Sequence, residues 1–65
     1  MCVPDVHLAK DGEREIVFRE VESLTLEGDE LVFTNAAGQT YRTRARLLEM
    51  NLVEHVILLE EDAGS

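Results

Sequence analysis

Apolar and polar residues alternate along this chain in runs of strand length, and turn residues separate the runs. The runs VPDVHLAK and EREIVF flank Asp11-Gly12, a pair suited to a two-residue hairpin turn. VESLTL and ELVFT lie on either side of Glu27-Gly28-Asp29 and predict a second hairpin, with Leu31 and Phe33 on one face of the ELVFT strand. In VESLTL the step from Val21 to Leu24 is odd while that from Leu24 to Leu26 is even. A strict period of two therefore fails, and a bulge or bend is predicted near Ser23.

Ala36-Ala37-Gly38-Gln39 forms the next turn and leads into TYRTRARLL. The segment RARLLEMNLVEH is ambiguous. Leu47, Leu48, Met50, Leu52 and Val53 partly fit a helical stripe, so residues 46–54 stay open between strand, loop and helical turn. HVILLEE reads as a strand whose unbroken apolar centre is covered on both faces, one inside the subunit and the other by a partner, with Ile57 and Leu59 assigned to the outward face. Six or seven short strands in one domain spanning 1–65 predict an all-β fold, a small barrel of about six or seven short antiparallel strands of the Sm-like or SH3-like kind.

Length sharpens this picture. A chain of 65 residues buries only about 60% of its unfolded surface, so it calls for a disulfide, a metal or a partner subunit. The single cysteine, Cys2, excludes an intrachain disulfide and favours a reducing, cytoplasmic setting. The first ten residues lack the basic start and apolar run of a signal peptide, and charges interrupt every apolar stretch short of a membrane span. A net charge of −8 disfavours nucleic acid as a partner and attracts cations without selecting among them.

The candidate chemistry lies at the N-terminus. The Met1 amine, the Cys2 amide nitrogen and the Cys2 thiolate close two fused five-membered chelate rings, a nitrogen and sulfur set that suits square-planar nickel(II). If Met1 is removed, the Cys2 amine and thiolate still form one ring, and two subunits complete the plane. Pro4 disfavours helix at Val3 and carries no N–H, so amide deprotonation cannot run past Val3.

The opening Met1-Cys2 is followed by Val6-His7-Leu8, Glu20-Val21, Glu27-Gly28, Gly38 and Val56-Ile57-Leu58-Leu59-Glu60. In this order the chain resembles the CooT-like small nickel-binding proteins, accessory to maturation of the nickel-containing carbon monoxide dehydrogenase. The resemblance covers nearly the whole chain and implies an Sm-like homodimer that binds nickel(II) through Cys2. A nickel enzyme or its maturation factors are then the expected partners, although no particular client follows.

Other residues are read more plainly. In an extended strand His7 points away from the face shared by residues 2, 4, 6 and 8, and lies some 16 Å from Cys2 at about 3.3 Å per residue. His55 sits where a loop becomes a strand, and neither histidine is assigned as a ligand. Arg42, Arg44 and Arg46 alternate as a basic row along one strand, and cross-strand pairing with acids such as Glu13 and Glu15 is the expected explanation. No aromatic residues interleave with the arginines to stack on bases, which weighs against RNA. No nucleophile and base pair, glycine-rich phosphate loop or paired CxxC is present, so no catalytic residue is assigned and no enzyme is expected. The expected function is a homodimeric, metallochaperone-like nickel(II) protein. The alternative is a metal-free Sm-like barrel that binds RNA or another protein.

Overall fold

A computed structural model describes residues 3–61 of the chain. Within them run seven strands: β1 (Asp5–Lys10), β2 (Glu13–Phe18), β3 (Val21–Glu27), β4 (Glu30–Asn35), β5 (Thr40–Thr43), β6 (Arg46–Asn51) and β7 (Val56–Glu60). Local chemistry explains the hairpins. Asp11 and Gly12 both take positive φ, 53° and 80°, which matches the right-handed twist of β1 and β2. Between β3 and β4, Gly28 supplies the positive φ of 62° at the first central position of the turn, while Glu27 and Glu30 pair across it. The expected irregularity in β3 is present as a register shift between Val21 and Ser23. It places both Val21 and Leu24 towards the core.

The strands form two sheets, one of four in the order β2-β1-β7-β6 and one of three in the order β3-β4-β5. The core lies between them. Val6, Ile57 and Leu59 come from the four-stranded sheet, Val21, Leu31 and Phe33 from the three-stranded sheet, and Ala45 from the link joining them. Phe18 stacks on Tyr41 at 5.9 Å between ring centroids, and Phe33 lies 6.2 Å from the same ring. Leu31 and Phe33 share the core-facing side of β4, as their spacing predicted.

Several expectations need correction. Hydrogen bonding does not close the described strands into one barrel, because the chain leaves the first sheet at Arg19-Glu20 and returns to it at Arg44-Ala45 without a ladder at either corner. The strands are not all antiparallel either. β1 and β7 pair in parallel, with Asp5 opposite Val56 and Ala9 opposite Glu60, an arrangement available because all the intervening strands lie between them in sequence.

Residues 46–51 form a strand, and its helix-like spacing has a simple cause. Leu47 pairs with Leu59, Met50 pairs with Ile57, and the ladder shifts between Leu47 and Glu49. One extra residue, Leu48, thus turns a strand period of two into a step of three.

The faces of β7 are the reverse of those expected. Ile57 and Leu59 are 2% and 0% exposed and belong to the core, while Val56 and Leu58 take the outer side. The arginine row is also broken. Arg42 lies on β5, Arg46 lies on β6 in the other sheet, and Arg44 lies between them.

Candidate functional site

The candidate ligands Met1 and Cys2 lie outside the described residues. What is described is the support that follows them. The Pro4 carbonyl accepts a hydrogen bond from the Val21 N–H at 2.8 Å, which ties the start of the chain to β3. The Asp5 N–H donates to the His55 carbonyl at 3.1 Å, which ties it to β7. The Asp5 side chain accepts from the Glu20 N–H at 3.0 Å and lies 3.7 Å from the Arg19 guanidinium. Glu20 and His55 both adopt φ of 59°, so two corners of the chain meet at Asp5 in a backbone conformation that side chains other than glycine seldom take.

Two consecutive residues, Pro4 and Asp5, thus tie the start of the described chain to segments of both sheets. Asp5 is the residue that the sequence reading missed. No local signal marks it, because the Glu20 N–H that it accepts from lies fifteen residues along the chain.

The histidines stand apart. His55 immediately precedes β7, and its carbonyl accepts from the Asp5 N–H at the end where the chain enters the fold. His7 lies further along on the outer face of β1, opposite Leu58 on one side and Ile16 on the other. Among the described residues no group of three or more His, Cys, Asp or Glu side chains is placed to hold a metal ion.

The arginines take partners other than Glu13 and Glu15. Arg42 lies 3.0 Å from Glu27 and 3.6 Å from Glu30, Arg44 lies within 4.0 Å of Asp29 and Glu30, and Arg46 lies 3.5 Å from Glu60. The hydrogen bond and charge of Glu27, helped by Glu30, raise the Arg42 pKa above its ordinary value. These pairs are exposed and individually weak, but they neutralise the only feature that pointed towards phosphate.

No polar or charged side chain is buried among the described residues. The described residues thus make a small two-sheet β-protein with an apolar core. Residues 1–60 match the family model of the CO dehydrogenase accessory protein CooT, so the chain belongs to the CooT family. A crystal structure of a CooT candidate from Carboxydothermus hydrogenoformans is similar in fold, with a TM-score of 0.86 and 26% sequence identity over 94% of this chain and 98% of that one. No curated protein matches the sequence. The family description is that of an accessory protein rather than a catalyst.

Proposed function

We propose that the chain is a homodimeric, metallochaperone-like protein of the cytoplasm that carries nickel(II) on Cys2, with Met1, and delivers it to a nickel enzyme or its maturation factors. The observation that carries this reading is the family match, which begins at Met1-Cys2 and runs to Glu60. The donor set fits the cargo. An amine, an amide nitrogen and a thiolate on adjacent residues suit a square-planar d⁸ ion, and a soft thiolate selects against hard cations.

The hydrogen bonds of Pro4 and Asp5 support the same reading, because a ligand pair at a chain terminus needs a fixed base to bind with useful affinity. The two sheets are read as an Sm-like barrel left open at its corners. Nickel supplies no reaction within this protein; it is the cargo, and the protein's part is to present and release it.

Titration with nickel(II) tests the proposal. Thiolate coordination gives charge-transfer bands in the near ultraviolet that are lost in Cys2→Ser. Affinity that survives this substitution refutes the site.

A further inference from the structure

Leu52 and Val53 are adjacent in the turn between β6 and β7, and they stay 67% and 87% exposed and outside the core cluster. The turn itself is well built. The Asn51 Oδ1 accepts hydrogen bonds from the Val53 N–H at 3.0 Å and the Glu54 N–H at 2.9 Å, and His55 closes the turn with φ of 59°. This bonding satisfies the backbone and holds two apolar side chains out in water. A turn is ordinarily polar, and a lone exposed apolar residue is common, but an adjacent pair fixed at a tip stabilises nothing within the chain.

The tip stands at the end of the fold from which the candidate ligands extend. His55, which closes the turn, accepts from the Asp5 N–H at 3.1 Å, and Asp5 lies opposite Val56 in the parallel ladder. Only Val3 and Pro4 separate Asp5 from Cys2. At no more than about 3.6 Å per residue, the covalent chain keeps the Cys2 backbone within about 11 Å of Asp5 on any path it takes. Leu26 is as exposed, at 70%, but lies on β3 about 16 Å from Val21, the residue bonded to Pro4. A protein that takes an ion from Cys2 must bring its own donors to this end, and so must meet the tip. Net charge of −8 repels an acidic acceptor, whereas apolar contact attracts whatever the charge.

We propose that Leu52 and Val53 are the docking tip for the protein that receives nickel(II), and that they enter an apolar recess beside that protein's own metal donors. The inference rests on the delivery role proposed above and names the surface that performs it. In the transfer, each bond from the ion to Cys2 or Met1 gives way to a bond from the acceptor. The acceptor's donors lose the protons they carried and the freed donors take up their own, so no other reactant is needed.

The test uses nickel-loaded full-length protein and, as acceptor, nickel-free CO dehydrogenase, the enzyme to which this family is accessory. Wild type, the double variant Leu52→Ser with Val53→Ser, and Leu26→Ser are compared by the decay of the near-ultraviolet thiolate bands, against rising enzyme concentration and against EDTA. Burial of one leucine or valine corresponds to about tenfold or more in affinity. The double variant should therefore need at least about tenfold more enzyme to reach half its maximal transfer rate, with the maximal rate, loss to EDTA, nickel affinity and sedimentation unchanged. Leu26→Ser should behave as wild type. Equal transfer from wild type and the double variant would overturn the tip while leaving delivery intact. An equal defect in Leu26→Ser, or altered loss to EDTA, would also overturn it, since the effect would then not be one of docking at this end. Altered sedimentation of the double variant would assign the two residues to the second copy instead. A wild type that holds nickel(II) and yields none to the enzyme would overturn delivery and the tip together.

Discussion

Leu59→Ala is the most direct test of the β7 assignment. Leu59 is fully buried, pairs with Leu8 in parallel and with Leu47 in antiparallel, and packs in the cluster that joins the two sheets. Truncating such a leucine costs about 2–5 kcal/mol, because the lost transfer energy is joined by the cost of the cavity left behind. A protein of this length has about 3–10 kcal/mol of total stability, at roughly 0.05–0.15 kcal/mol per residue. The substitution should therefore remove a large fraction of it and lower Tm by about 10 °C or more.

Leu58→Ala, one residue earlier and on the outer face, should cost only about 1 kcal/mol. Thermal melts followed by far-ultraviolet circular dichroism, at one protein concentration because an oligomer's Tm depends on it, measure both. Equal losses for the two variants, or a larger loss for Leu58→Ala, would refute the facing of β7 and with it the core between the sheets. Leu59→Asp is expected to unfold the chain rather than divide a folded dimer.

Asn35→Ala should destabilise by about 1–2 kcal/mol in the same melts, because the Asn35 Oδ1 accepts from the Ala37 and Gln39 N–H groups at 3.1 Å and its amide donates to the Gln39 Oε1 at 2.9 Å. Nickel(II) bound to the wild-type protein should show near-ultraviolet bands that are absent from Cys2→Ser, while the two proteins melt alike without metal. Single-stranded RNA should bind weakly at most and be lost as salt rises, because five of the six basic residues already stand within 4.0 Å of a carboxylate. Tight, sequence-selective binding would contradict the placement of Arg42, Arg44 and Arg46.

The features legible in the sequence were those whose causes are local. Asp11-Gly12 and Gly28 provide backbone conformations that only a few residues adopt cheaply, so the hairpins could be placed from a few letters. The broken period from Val21 to Leu26 announced its bulge, and the alternation in ELVFT announced the core face of β4. The chelate proposed at Met1-Cys2 likewise rests on adjacent residues alone. The same local logic failed at Leu47 to Met50, where a step of three residues looks alike in a helix and in a bulged strand.

Only the tertiary structure decided the rest, because each remaining question concerns residues far apart in the chain. In Val56-Ile57-Leu58-Leu59 both faces are apolar, so no pattern within the run says which face meets the core; the parallel pairing with β1 decides it by setting Ile57 beside Val6 and Leu59 beside Leu8. The arginines alternate in sequence, but the corner at Arg44-Ala45 sends Arg42 and Arg46 into different sheets and to different acids. The base beneath the N-terminus forms where Pro4 and Asp5 meet Glu20, Val21 and His55, and no spacing along the chain encodes that meeting. Hydrophobic burial acts on the assembled surface rather than on the run, so inside and outside are settled only when the two sheets close on each other.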